Sequence, residues 1–465
     1  MQDLLKKLKR NKFAIAKCIV FGLFILTAYF MVFTVREGTS PDENYHLNLS
    51  AYFYKNPGYF FNDTESIYAY SGLSRAPRLY HYLMGLLTNF NIYHIPLILY
   101  LRVFNPLLAL GSLYFLYKIA KEITKDKWAS LFTVFLLANT LMFTFVSGFA
   151  NYDNLVNLAA YGSVYYLIRY RNTRSTKILL LFFIFNLVGT LTKSTFVPIS
   201  FILYAIFGIS FILPLKGIKE RVSKTITGLN LKHIANIVYL LLFSFLLALN
   251  LELYLGNIIQ YHSINPSCDK VLSHEICYSH SGTYKRNYDF ENNASSLPEA
   301  KPLPNAAIDW SRAYTKSILG ILGHRPSFFN KFALIPFAGV GILGLIGFAI
   351  KRKVPKNVLI LAVISVSFTC VVFLYNYSEY RTFHRWVAIQ GRYLLPIVGL
   401  LYAIASYYIF QIPGKFYRNV LLLLIALAVF YTSTFEFLRK EPPYYKTDWA
   451  EIADKYNHYN YYLED

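Results

Sequence analysis

The sequence predicts an all-α polytopic membrane protein with about eleven transmembrane helices and two long extracytoplasmic loops. Three observations predict it. Of 465 residues, 55% are hydrophobic and 15% are Asp, Glu, Lys or Arg, against roughly 25% charged in an average soluble chain. The apolar residues fall in long blocks, which suits a solvent in which every backbone amide must bond inside its own helix. The formal charge of +21 is scattered over short connections between blocks, the pattern that keeps Lys and Arg in the cytoplasm. With no soluble basic domain, nucleic-acid binding is excluded.

Taken in order, the first block covers residues 13–33 and follows Lys6, Lys7, Lys9, Arg10 and Lys12, which places the amino terminus in the cytoplasm and makes the block an anchor. Further spans fall at 96–119, 128–146, 155–169, 178–191, 195–213 and 234–255, then at 332–350, 358–375, 393–410 and 420–437. Alternation then puts the basic stretches 118–127, 169–177, 216–232, 351–356 and 415–418 inside. The long segments 35–95 and 257–331, the turns 147–154 and 192–194, residues 376–392 and the tail after Leu438 lie outside. The chain divides into a seven-helix module (1–256), an outer loop (257–331) and four carboxyl-terminal helices with an outer tail (332–465). No internal repeat is visible, unlike many secondary transporters.

Cys18 and Cys370 lie in apolar blocks, where a thiol behaves as a small hydrophobe. Cys268 and Cys277 share the second outer loop, where an oxidising compartment would let them pair.

Four groups of residues could carry chemistry. Thr39-Ser40-Pro41-Asp42-Glu43-Asn44-Tyr45-His46 sets two carboxylates and an imidazole just beyond the first helix. A carboxylate there can take a proton from a hydroxyl or hold a divalent cation. The competing reading is a capping box, with Ser40 as the cap, Pro41 first in the helix and Glu43 reaching back; this favours Asp42 over Glu43 for chemistry. Tyr45, Leu49, Tyr52 and Phe53 then have the spacing of a helix lying along the membrane surface. The second group, Asn151-Tyr152-Asp153-Asn154, is either an acidic site or a cap for the fourth span.

The third group is cationic: Arg102 inside a span, Lys193 in a turn, and Arg381, Arg385 and Arg392 around the tenth span. Each could snorkel to headgroups alone, but together on an outer face they suit a lipid phosphate. The fourth, Gln390-Gly391-Arg392-Tyr393-Leu394-Leu395-Pro396, opens a helix where a glycine lets backbone approach an anion, unless it is an interfacial Arg-Tyr anchor. Glu252, Glu379 and His384 are less specific candidates.

This order of motifs on this layout resembles the GT-C superfamily of membrane glycosyltransferases, and one bacterial branch of it in particular. The resemblance implies a seven-helix amino-terminal module and sugar transfer from a polyprenyl-phosphate carrier on the extracytoplasmic face of a bacterial inner membrane; the odd number of spans puts the carboxyl terminus outside. It implies an inverting enzyme with Asp42 as base, and Glu43, Asp153, Asn154 and His46 around the acceptor or a metal. Arg102, Lys193, Arg381, Arg385 and Arg392 would meet the lipid phosphate. Expected partners are membrane lipids, the lipid-linked donor and a glycan, lipid or protein acceptor. The first loop lacks a DxD pair, so participation of Mg or Mn stays open, and there is no large soluble carboxyl-terminal domain. The alternatives are a flippase for a lipid-linked glycan and a glycan polymerase or ligase using a lipid pyrophosphate.

Overall fold

Amides that cannot reach water bond within their own helix, and each of the eleven apolar segments read from the sequence coincides with helix in the computed structural model. The structure describes residues 2–57, 75–212, 218, 219, 223, 233–322 and 327–440. The expected outer tail therefore falls largely outside the described residues, as does the basic stretch at 216–232 apart from residues 218, 219 and 223. In chain order the helices are α1 (Gln2–Thr34), α2 (Glu43–Lys55), α3 (Leu79–Thr88), α4 (Leu97–Thr124), α5 (Lys127–Ala138), α6 (Leu141–Ser147), α7 (Asp153–Thr173) and α8 (Thr176–Thr192). They continue with α9 (Ser194–Ile212) and α10 (Ile234–Tyr261). The second long loop folds as α11 (Cys268–Val271), α12 (His274–His280), α13 (Gly282–Asn292) and α14 (Leu303–Leu319). The last four are α15 (Lys331–Lys351), α16 (Lys356–Phe383), α17 (Gly391–Ile409) and α18 (Lys415–Lys440).

By length and composition, eight of these helices can cross a bilayer, or nine if one bent pair is a single span. That pair corrects the expectation of one straight helix over 128–146: α5 and α6 meet at 71°. Carbonyls around the break accept from side chains, as buried polar backbone requires. Asn139 donates to Phe135 O at 2.9 Å, Thr144 to Ala138 O at 2.8 Å and Ser433 to Asn139 O at 2.5 Å. Two of these donors lie in the block itself, and Ser433 comes from α18.

The main core lies where α7 packs against α4 and α8 and where α17 packs against α4, α5 and α7. Tyr161 and Gly399 show how closely α7 and α17 approach: a Cβ on Gly399 would stand 2.6 Å from the Tyr161 hydroxyl. The end of the bundle that carries the two long loops is here termed the loop face.

On that face α2 and α3 form a hairpin, and Leu49, Tyr52 and Phe53 of α2 are buried. The expected surface-lying helix exists, but its apolar side meets protein: Leu272 and Ile276 of the second loop pack on it. Cys268 and Cys277 are joined as a disulfide with Cα atoms 5.7 Å apart, stapling that loop segment. Cys18 and Cys370 are free.

Near its loop-face end, α10 widens into a π-turn at Leu251–Leu255. Arg75, in the first outer segment just before α3, donates there to the Glu252 carboxylate at 2.8 Å, to Glu252 O at 3.0 Å and to Asn257 Oδ1 at 2.8 Å, in room left by Gly256. Asn257 Nδ2 in turn donates to Arg75 O at 3.1 Å and to Ile264 O at 3.2 Å.

Candidate functional site

Asp42 is the residue before α2 and adopts a left-handed backbone, φ 59°, a conformation that Asp tolerates better than most residues. The capping box expected at Ser40 and Glu43 does not form. Asp42, not Ser40, occupies the cap position, and the Glu43 carboxylate turns away to accept two bonds from Arg102, at 2.8 Å from Nε and 2.7 Å from Nη2. Both partners are fully buried. Arg102 also donates to Val32 O and Val35 O at the end of α1 and lies 4.7 Å over the Phe149 ring. The guanidinium fork expected to meet a lipid phosphate is thus filled by a carboxylate, and Glu43, expected around the acceptor or a metal, is the counter-ion of Arg102.

Asp42 itself faces Arg392, whose Nη2 donates to its carboxylate at 2.5 Å. The Asp42 side chain is 48% exposed and that of Arg392 1%. Arg392 is set by its neighbour: Gly391 N donates to Ser317 Oγ of α14 at 2.7 Å, and a Cβ on Gly391 would lie 2.5 Å from the Ser317–Ile318 backbone. Only glycine lets the start of α17 approach that loop helix so closely. The Arg392 Nη1 lies 3.6 Å from Asp153 Oδ2, and Lys193 Nζ donates to Asp153 Oδ1 at 2.7 Å. Lys193 Nζ stands 4.2 Å from the centroid of Tyr152 and 4.6 Å from that of Tyr393, a geometry in which ring faces attract the cation. Asp42, Arg392, Asp153 and Lys193 thus form one chain of charge, drawn from four separate segments.

Asn151 aligns two of these segments. Its Oδ1 accepts from Asp153 N at 2.8 Å, capping α7, while its Nδ2 donates to Pro41 O at 3.2 Å. The turn thus holds both a local side-chain bond at the start of α7 and a carboxylate facing Lys193 and Arg392. Asn154 is a correction: its amide points into the bundle, donating to Asn105 Oδ1 at 2.9 Å and Val146 O at 3.0 Å.

His46, expected around the acceptor or a metal, pairs with another histidine. It is buried, its Nδ1 lies 2.8 Å from His81 Nε2, and its ring packs edge-on to Tyr152 at 4.4 Å. One ring donates and the other accepts. Burial lowers both imidazoles, with His81 adding to the effect on His46, and Arg392 and Lys193 contributing; His81 falls to about 3. Folding thus favours the neutral pair, and the unfolded chain binds more protons below the ordinary histidine value of 6.5. Stability is full above that pH and falls progressively as the pH drops towards 3. A Tm series from pH 7.5 to 4 should show this slope, and His46→Asn/His81→Asn should flatten it.

Arg381 and Arg385 do not join the cluster among the described residues. Arg381 is exposed on the last turn of α16, and Arg385 lies 4.3 Å over Phe290 of the second loop. Glu252 is paired with Arg75, and Glu379 accepts from Tyr375 at 3.0 Å. Asn151, Tyr152, Tyr393 and His81 are the residues at or beside the site that sequence reasoning did not select. The first three sit inside motifs that were noticed, whereas His81 gave no signal.

Three comparisons bear on this arrangement. Residues 75–249 match the family model described as dolichyl-phosphate-mannose-protein mannosyltransferase. Solved structures that share the fold include two of one protein. ArnT from Cupriavidus metallidurans in the apo state aligns at TM-score 0.52 and 11% identity, covering 87% of this chain and 62% of ArnT. The same protein bound to undecaprenyl phosphate aligns at 0.50 and 12%, covering 90% and 63%. The chain spans less than two thirds of either ArnT chain. No curated protein sequence matches it.

Proposed function

This multi-pass membrane chain has the fold of the GT-C glycosyltransferases, and from that premise we propose that it moves a sugar from a polyprenyl-phosphate carrier to a hydroxyl-bearing acceptor. The loop face is then the extracytoplasmic one, and the acceptor an envelope glycan, lipid or protein. The observation that carries this reading is the meeting of Asp42, Arg392, Asp153 and Lys193 in one continuous chain of contacts.

The roles follow from exposure and charge. Asp42 is the half-exposed member, so it is the carboxylate an incoming acceptor can reach, and it takes the hydroxyl proton. As the acceptor oxygen bonds to the anomeric carbon, the bond from that carbon to the phosphate oxygen breaks and the lipid phosphate leaves with the electron pair. Lys193 and Arg392 meet its growing negative charge in a buried setting, where fixed cations act most strongly. Attack opposite the leaving phosphate inverts the anomeric configuration. Asp153 holds both cations in place before substrate arrives.

Asp42 and Asp153 both face the Arg392 guanidinium, so in this reading the positive charge that meets the phosphate comes from Lys193 and Arg392.

Purified protein in vesicles should transfer sugar from a polyprenyl monophosphate donor and not from the pyrophosphate. Transfer from the pyrophosphate, or movement of the lipid-linked sugar across the vesicle without cleavage, would replace this reading with the ligase or the flippase.

A further inference from the structure

One turn beyond Asp153 on α7 stands Asn157, 1% exposed, and neither atom of its carboxamide finds a hydrogen-bond partner among the described residues. Residues four apart share one face of a helix, so Asp153, Asn157 and Tyr161 form a stripe. Both ends of that stripe touch the same partner, α17. Asp153 faces Arg392, and the Tyr161 hydroxyl donates to Leu395 O at 2.6 Å and accepts from Gly399 N at 3.1 Å. Asn157 therefore lies along the seam between α7 and α17, between the charge cluster and Tyr161.

The atoms at the cluster end of that seam are also short of partners. Asp153 Oδ2 and Arg392 Nη1 stand 3.6 Å apart, beyond hydrogen-bond range, and neither they nor Arg392 Nε has a hydrogen bond among the described residues. Buried polar atoms are ordinarily bonded, and these two, paired by charge but not by a hydrogen bond, keep capacity for a group that lies alongside them. The seam offers donors (Asn157 Nδ2, Arg392 Nη1 and Nε) together with acceptors (Asp153 Oδ2 and Asn157 Oδ1). An ionised phosphate would satisfy the donors and leave both acceptors empty, while setting its charge against Asp153. An alcohol both donates and accepts, and adds no charge.

We propose that Asn157, with Asp153 Oδ2 and Arg392, forms a subsite for a ring hydroxyl of the donor's sugar, which makes Asn157 a specificity-determining residue. The inference rests on the lipid-phosphate-sugar reading above. It requires that Asn157 act on the sugar and not on the lipid phosphate, which meets Lys193 and Arg392.

Full-length protein in nanodiscs is titrated with undecaprenyl phosphate and with undecaprenyl phosphates carrying glucose, mannose, galactose or a pentose. For the wild type, at least one sugar should tighten binding tenfold or more over the bare lipid. Asn157→Leu should bind the bare lipid within twofold of wild type and lose that gain. It should be no less heat-stable, because an unpartnered buried amide is replaced by an apolar side chain of similar size. Asn157→Asp, which keeps an acceptor and loses the donor, should lose part of the gain and serves if the leucine variant misfolds. The proposal is overturned if the gain survives in Asn157→Leu, if no sugar improves on the bare lipid in wild type, or if a folded variant weakens bare-lipid binding equally. Failure of wild type to bind undecaprenyl phosphate at all would instead sink the parent reading.

Discussion

Asp42→Asn is expected to lower sugar transfer by about 10²- to 10⁴-fold, the usual contribution of a positioned general base. Asn has nearly the same shape and can still accept a hydrogen bond from Arg392, whose Nη2 now meets the Asp42 carboxylate. It cannot take the acceptor's proton. After the substitution Asp153 still faces the buried Arg392 guanidinium, so that cation keeps a carboxylate, and thermal stability and membrane insertion should be little altered. Transfer would be measured with a polyprenyl-phosphate donor, alongside gel filtration and a melting curve. Wild-type transfer by a folded Asp42→Asn protein would remove Asp42 from the role of base.

The second large effect is on stability. Arg102→Ala should destabilise the protein by about 3–5 kcal/mol, the range seen when one partner of a buried ion pair is removed and the other is left uncompensated. Here Glu43 would be stranded with no exposed side-chain surface, and the carbonyls of Val32 and Val35 would lose a donor. Glu43→Gln should cost less, since a neutral amide is left beside the guanidinium. The reading is checked by unfolding in detergent. Arg102→Ala with wild-type stability but lost lipid-phosphate binding would restore Arg102 to the phosphate site and refute its assignment as a structural cation.

The two substitutions mark what the sequence can and cannot reveal. Apolar blocks were legible because the bilayer sets their length and composition for each segment alone. The disulfide partners were legible from sharing one polar loop. Asp42, Asp153, Lys193 and Arg392 could each be picked out as charges in unusual places, yet Arg102 satisfied the same criterion and belongs elsewhere. What separates them is pairing across the chain: Arg102 meets Glu43 across 59 positions, and Arg392 meets Asp42 across 350. Local spacing also misled. Ser40, Pro41 and Glu43 have capping-box spacing, but a buried guanidinium competes for the glutamate and wins, because leaving either ion alone costs more than leaving a cap unmade. Asn157 carried no local signal at all, since its interest lies in what does not surround it.

Asn257 holds the carbonyl of Arg75 and that of Ile264 with one amide group. Arg75 lies in the first long outer segment, before α3, and Ile264 near the start of the second. One side chain on α10 therefore ties the two segments together, and Asn257→Leu, which removes both bonds, should lower the melting temperature in detergent.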